Sequence, residues 1–165
     1  VAILREAFGI EVVLENQTCV YGGGFVPPYM EGCAAPAFIA RALGATDCDL
    51  LLDLAHARVN AAFLGFEVRD YLEALPLERV REIHLSGCRR VKDGLLSDEH
   101  DTLEEDDYEL LHWTLERCAP EYLTLEYDRE REALERQLLR LRTVAGRRRE
   151  AAVGSAQPRS LKRSV

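Results

Sequence analysis

Short apolar runs alternate along the chain with longer segments of helical periodicity. Four of these runs have the length of a strand and are bounded by polar or turn residues: EVVLEN (11–16), DLLLDL (49–54), REIHLSG (81–87) and YLTLEY (122–127). Nearly continuous apolar runs of this length are typical of parallel strands that are buried on both faces. We therefore predict four buried parallel strands.

The segments before, between and after these runs carry apolar residues at helical spacing. They cover residues 3–9, 36–44, 68–76, 103–120 and 129–146. Most of them end at a glycine or a proline, which are common helix stops, and the last is predicted to stop at Gly146. A βα alternation repeated four times indicates a parallel sheet and amounts to half of an eight-stranded barrel. The predicted fold is α/β, a TIM-type (β/α) barrel represented by about four βα units.

Charge divides the chain into two parts. The net charge is -8 at pH 7, yet the charged residues after Arg140 are basic with one exception, Glu150. We predict a partial (β/α) barrel domain over residues 1–146 and a basic, disordered tail over residues 147–165, where glycine, serine and proline are frequent. A basic tail can bind nucleic acid. The acidic body argues against nucleic acid as the main partner.

The composition also limits the cellular setting. No apolar run approaches the roughly 18 to 20 residues of a membrane span, and the opening VAILREAFGI lacks a basic leader, so we expect a cytoplasmic protein without a membrane partner. The five cysteines are irregularly spaced and include no C-x-x-C pair. This spacing predicts reduced thiols rather than a disulfide framework or a thiolate zinc site.

Each predicted strand carries a carboxylate or an imidazole near its C-terminal end: Glu15, Asp53, His84 and Glu126. Taken singly, each has a structural explanation, because the carboxylates can cap turns and a buried histidine can bond a backbone carbonyl. In four consecutive strands, however, these residues recur at the edge where (β/α) barrels place their active sites. The repetition predicts one convergent site.

Two connections add further candidate ligands to this edge. His56 follows Asp53 by three positions in a predicted loop, and Asp98 and His100 form a D-x-H pair in the connection after the third strand. In an extended segment, residues i and i+2 point the same way. Mixed oxygen and nitrogen ligands suit iron, manganese or zinc, and so many carboxylates favour two or more bridged cations. The predicted metal ligands are Glu15, Asp53, His56, His84, Asp98, His100 and Glu126.

Five short elements carry a resemblance to a known family. They are L-E-N at 14–16, L-L-D at 51–53, E-I-H-L-x-G at 82–87, D-x-H at 98–100 and E-x-D at 126–128. In this order, and over about residues 1–145, the chain resembles the DUF692 family. Its members are multinuclear non-haem iron-dependent oxidative enzymes that modify cysteines of ribosomally made precursor peptides, as in methanobactin and 3-thiaglutamate biosynthesis.

The resemblance implies a TIM barrel with two or three iron ions at the strand ends, and it assigns the metal role to the seven residues above. It also implies an oxygen-dependent reaction that removes hydrogen from the β-carbon of a substrate cysteine. A partner protein that presents the precursor peptide is expected. Manganese and zinc remain compatible with the same ligands.

The chain also departs from the family. Family members are longer, and their N-terminal half supplies the first barrel strands and further histidines. Four strands do not close a barrel, so a second chain or a missing segment would have to complete it. Two alternatives therefore stay open: a truncated, non-catalytic scaffold that binds metal or a partner, and a metal-dependent barrel enzyme of the xylose-isomerase type.

Smaller features near the predicted site have ordinary explanations. The glycines at 22–24 indicate a turn, because no Lys-Ser pair or helix start follows them as in a phosphate loop. A basic run, Arg89, Arg90 and Lys92, either attracts an acidic peptide or forms a solvated loop. Cys88 lies close to the predicted site, but an inert thiol is its default interpretation.

Overall fold

The computed structural model describes residues 1–21, 24–28, 30–91 and 94–155, with the backbone alone for residues 30, 31 and 147–155. The helices are α1 (Ala2–Phe8), α2 (Met30–Ala34), α3 (Pro36–Thr46), α4 (Leu54–Leu64), α5 (Val68–Glu73), α6 (Glu105–Leu115) and α7 (Arg131–Ser155). The strands are β1 (Val13–Glu15), β2 (Asp49–Asp53), β3 (Val80–Leu85), β4 (Gly87–Arg90), β5 (Leu96–Asp101) and β6 (Tyr122–Leu125).

The four predicted strands form one parallel sheet in the order β1-β2-β3-β6. In this register Asp53 lies opposite His84, and His84 lies opposite Thr124. The predicted mixed α/β fold with a four-stranded parallel sheet is thus confirmed.

One face of this sheet forms the core of the protein. Leu50 and Leu52 of β2 and Ile83 and Leu85 of β3 are almost completely buried in a cluster to which α3, α4, α5, α6 and α7 also contribute. Most residues that alternate with them, such as Glu82, are only partly buried, whereas Asp53 at the end of β2 is fully buried. The expectation that the strands are buried on both faces is therefore wrong, because successive side chains alternate and the second face carries the polar residues.

Helix α4 corrects the prediction that His56 lies in a loop. The helix begins directly after β2, where the Asp53 side chain accepts a hydrogen bond of 2.7 Å from the His56 backbone N–H. This contact satisfies a free N–H of the first turn, as helix-capping aspartates do. Gly65, at a φ of 77°, ends the helix in the left-handed conformation that glycine tolerates.

The connection after β3 is also more ordered than a loop. It contains the antiparallel hairpin β4-β5, in which Cys88 lies opposite Asp98. Asp98 and His100 both lie within β5, but the prediction of an extended D-x-H segment is wrong at His100, whose φ of 48° is in the left-handed region. The pairing with β4 is irregular at this point, since Gly87 lies opposite Asp101 and Cys88 opposite Asp98.

At the other end of the chain, α7 continues to Ser155. The stop predicted at Gly146 is wrong, because a single glycine weakens a helix without ending it. Lys92, residues 22 and 23 of the predicted glycine turn, and residues 156–165 of the predicted tail lie outside the described residues.

Across the part of the chain that the structure describes, no helix combines the length and hydropathy that a membrane span requires.

Gly87 in the hairpin is closely packed, and Gly44 in α3 serves as the comparison. A Cβ atom on Gly87 would lie 2.5 Å from the Thr102 backbone oxygen, whereas one on Gly44, inside α3, would meet no atom within 4 Å. We expect Gly87→Ala to lower the free energy of unfolding by about 1 to 3 kcal/mol. Gly44→Ala should raise it by about 0.5 to 1 kcal/mol. Urea unfolding measures both, and equal effects would contradict the packing at Gly87.

Candidate metal centre

The predicted site residues meet at the carboxyl edge of the sheet. Glu15 ends β1, Asp53 ends β2, His84 is the penultimate residue of β3, and Glu126 directly follows β6. The Glu126 backbone N–H still bonds the Leu85 carbonyl at 2.8 Å, which holds its side chain beside β3. Parallel strands bring these positions together because their carboxyl ends share one edge.

All seven predicted ligands fall into three overlapping groups of three residues. Each residue of a group offers one potential ligand atom, and these atoms all lie within 4.8 Å of one another. The groups are Glu15, Asp53 and His56; Asp53, His84 and Glu126; and Asp98, His100 and Glu126. Asp53 and Glu126 each belong to two groups, so the three form one continuous cluster. This arrangement could hold more than one cation.

His56 joins two sides of the cluster from the first turn of α4. Its Nδ1 lies 3.2 Å from Glu15 Oε1, and its Nε2 lies 3.5 Å from Asp98 Oδ2. Burial lowers the pKa of His56, but the Asp98 and Glu15 carboxylates outweigh this effect and raise the pKa to about 10. Without a metal, the imidazolium supplies positive charge between these carboxylates.

Asp53 is fully buried and uses its two oxygens differently. Oδ1 accepts the capping bond from the His56 backbone, whereas Oδ2 has no hydrogen-bond partner among the described residues. Burial raises the pKa of Asp53, and the nearby Asp98 and Glu126 carboxylates add to the rise. A buried carboxylate oxygen without a partner is costly, and a bound cation would satisfy it.

His84, Glu126 and His100 complete the cluster toward solvent. His84 Nδ1 is buried and forms no hydrogen bond, although Glu126 Oε1 lies only 3.0 Å away. The other Glu126 oxygen lies 3.4 Å from His100 Nε2, which is also 3.3 Å from Asp98 Oδ2. The His100 side chain is 51% exposed, so the cluster opens to solvent on this side.

Asn16 is a site residue that the sequence analysis missed. Its buried amide donates to the Asp53 carbonyl at 2.9 Å and accepts from the Asp53 N–H at 2.8 Å. The side chain thus continues the pairing of β1 with β2 beyond the end of β1. Its backbone oxygen also lies 3.2 Å from His56 Nδ1. Asn16 fixes the backbone from which Asp53 projects.

Two further hydrogen bonds that were not predicted involve the candidate ligands Asp98 and His84. Ser86 Oγ donates to Asp98 Oδ1 at 2.5 Å, and Glu82 Oε1 lies 3.2 Å from His84 Nε2. Glu82 could have been found from the sequence, since residues i and i+2 of a strand share a face. Ser86 could not, because its contact depends on how the hairpin folds over the sheet.

Three further residues with side chains that can bind metal, Cys88, His112 and Asp128, do not join the cluster. Burial raises the pKa of Cys88 to about 12, and its thiol lies 3.7 Å from the Ala55 carbonyl, which fits the expected inert thiol. His112 is exposed on α6 beside Glu116. β6 ends at Leu125, so Asp128 does not share a strand face with Glu126.

The fold and the cluster together define an α/β protein with a carboxylate and histidine site at the strand ends. The profile of the family described as RiPP precursor modification enzyme MbnB/TglH/ChrH matches residues 1–146. The chain therefore belongs to this family, and the resemblance to DUF692 proteins is confirmed.

Three relatives illustrate the similarity. A UPF0276 protein of Acaryochloris marina is 32% identical over 130 residues, which are 76% of this chain and 44% of the relative. One from Rhizobium meliloti is 35% identical over 160 residues, 89% of this chain and 50% of the relative. One from Bordetella pertussis is 38% identical over 96 residues, 55% of this chain and 33% of the relative. The chain spans half, or less, of the length of these relatives.

Asn16→Ala tests the two hydrogen bonds between the Asn16 side chain and the Asp53 backbone. The substitution leaves a buried N–H and a buried carbonyl of Asp53 without partners, at about 1 to 3 kcal/mol each. We expect the free energy of unfolding to fall by about 2 to 4 kcal/mol in urea titrations. Gln17→Ala, at the exposed neighbouring position, should change it by less than about 0.5 kcal/mol. A similar small effect of both variants would contradict the role of Asn16.

Proposed function

We propose that this chain supplies part of a TIM barrel that oxidatively modifies cysteine residues of a ribosomally made precursor peptide, using dioxygen and two or three iron ions. The observation that carries the proposal is the cluster of four carboxylates and three histidines at the carboxyl edge of the sheet. Membership of the MbnB/TglH/ChrH family supports the substrate class. The choice of iron rests on the resemblance to the DUF692 enzymes.

The residues of the cluster fit a multinuclear metal site. Asp53 Oδ2 and His84 Nδ1 are buried without hydrogen-bond partners, and both face the cluster that Glu126 shares. Oxygen and nitrogen donors without thiolate suit iron and leave room for a sulfur ligand from the substrate. Four carboxylates close together also repel one another unless cations lie between them.

The proposed ligands are Glu15, Asp53, His56, His84, Asp98, His100 and Glu126. Bound iron would accept the substrate thiolate and supply electrons to dioxygen. The chain's own residues hold the site in shape: Asn16 fixes the Asp53 backbone, and Ser86 holds one oxygen of Asp98. His100 lies on the exposed side, from which we expect the peptide to enter.

The barrel itself requires more than this chain describes. β1 and β6 are the outer strands of the sheet, and each leaves one edge unpaired among the described residues. We propose that further strands, from a longer form of the polypeptide or from a second chain, pair with these edges. A partner protein that presents the peptide belongs to the same proposal.

One observation favours a second candidate function. The chain spans half, or less, of the length of its relatives. An open sheet that presents the strand-end residues, as the described residues do, could bind metal or a partner without turnover. This non-catalytic scaffold is the alternative that the experiments below separate from the enzyme.

His84→Ala tests the metal site directly. The full chain, purified without oxygen and loaded with ferrous iron, should bind iron, as measured by elemental analysis and Mössbauer spectroscopy. His84→Ala should bind at least about tenfold more weakly, because it removes a buried nitrogen donor. Asp53→Asn should weaken binding similarly while keeping an oxygen that can cap α4.

His112→Ala is the matched control, since His112 is the one histidine of the chain outside the cluster. It should bind iron like the unmodified chain. Full iron content in both His84→Ala and Asp53→Asn would contradict the proposed ligands.

Peptide oxidation separates the enzyme from the scaffold. Small cysteine-containing peptides whose genes are found next to that of this chain are the candidate precursors. The iron-loaded chain is mixed with them in the presence of the proposed segment that completes the barrel. We expect a mass change at cysteine that requires both iron and oxygen, and none in a peptide whose cysteine is replaced by serine. Stoichiometric iron without any change in the peptide would favour the scaffold.

A further inference from the structure

A second carboxylate contacts His84 from the side opposite the cluster. Glu82 and His84 occupy positions i and i+2 of β3, so their side chains project from the same face of the sheet. Glu82 Oε1 lies 3.2 Å from His84 Nε2. Neither the predicted ligands nor the three metal-binding groups include Glu82.

Glu82 is itself held in place from the neighbouring strand. Thr124 of β6 donates its hydroxyl to the same Glu82 oxygen at 2.6 Å. A threonine hydroxyl that donates to a carboxylate forms a strong, short hydrogen bond. The Glu82 side chain is 26% exposed, so this contact is formed in partly buried surroundings. The oxygen that faces His84 therefore has a fixed position.

This contact determines which nitrogen of His84 carries the proton. Of the two ring nitrogens, only Nε2 forms a hydrogen bond with a carboxylate among the described residues. An ionised carboxylate can only accept, so we assign the proton of the neutral ring to Nε2. Nδ1 then carries a lone pair. It is buried, has no hydrogen-bond partner and lies 3.0 Å from Glu126 Oε1. Two lone-pair atoms this close repel each other unless a cation lies between them.

We infer that Glu82 is a positioning residue that turns the Nδ1 lone pair of His84 toward Asp53 and Glu126. The inference rests on the proposed metal site for its functional meaning. Carboxylates that accept the second N–H of a metal-bound histidine orient the ring and raise its basicity, and their loss commonly costs about 10- to 100-fold in metal affinity. His84 would then bind metal through Nδ1.

The first measurement is independent of metal. Long-range proton–nitrogen correlation spectra of the full chain, without metal and at a pH where the ring is neutral, identify the protonated nitrogen of His84. We expect protonation at Nε2 in the unmodified chain and in Glu82→Gln, whose amide oxygen can still accept. In Glu82→Ala the proton should redistribute to Nδ1, where Glu126 can accept it.

The second measurement is the affinity for ferrous iron without oxygen. Glu82→Ala should bind about 10- to 100-fold more weakly, whereas Glu82→Gln should retain most of the affinity. Thr124→Val should cause a smaller loss, because Glu82 remains but loses its donor. If Glu82→Ala does not fold, the iron affinity of Thr124→Val tests the inference in its place. Glu109→Gln, exposed on α6, is the control and should change neither measurement.

The outcomes separate this inference from the proposed function. An unmodified chain that binds no iron would refute the metal site, yet a His84 proton that moves only in Glu82→Ala would still support the positioning role. Normal iron binding together with an unchanged proton position in Glu82→Ala would overturn the inference and leave the metal site intact. If Glu82→Ala does not fold, an unchanged iron affinity in Thr124→Val would overturn it. Equal losses in Glu82→Ala and Glu82→Gln would also overturn it, because the inferred contact survives in the amide.

Discussion

The parallel direction of the four strands is the constraint on which the rest of the structure depends. It places every strand's carboxyl end at one edge of the sheet. One face of the sheet packs against the helices through Leu50, Leu52, Ile83 and Leu85. Because side chains alternate along a strand, burying these residues turns the polar positions to the other face. The apolar core and the polar cluster are therefore two results of one register, and a shift of one residue in β3 would exchange them.

Electrostatics then determines what the cluster can hold. Four carboxylates at this edge repel one another, and burial raises the pKa of Asp53. His56 offsets part of this repulsion, since its pKa of about 10 makes it a cation at neutral pH. Metal binding to its ring would have to release that proton. In the metal-free cluster, the proton on His56 thus neutralises part of the negative charge of the carboxylates. In a metal-loaded cluster, the metal ions would neutralise it instead.

The sequence predicted the sheet and the strand-end residues because both follow from local patterns, namely apolar runs and a polar residue near the end of each run. It did not predict α4, whose first turns are buried at nearly every position from Leu54 to Ala61 and so show no one-sided apolar stripe. It also missed Asn16 and Ser86. Their roles depend on contacts with Asp53 and Asp98, which are 37 and 12 residues away.

Apolar side chains are exposed near both outer strands of the sheet. Phe38, beside β1, is 41% exposed, and Tyr122 of β6 is 60% exposed. Natural proteins seldom leave the edges of a parallel sheet uncovered, so the exposed Phe38 of α3, beside β1, and the exposed Tyr122 on β6 support the proposed completion by further strands. Covering the polar face would also remove water from the cluster and strengthen each charge interaction within it. A completed barrel would therefore differ from this chain in how strongly the proposed site binds metal, more than in which of the proposed ligands β1, β2, β3 and the residue after β6 contribute.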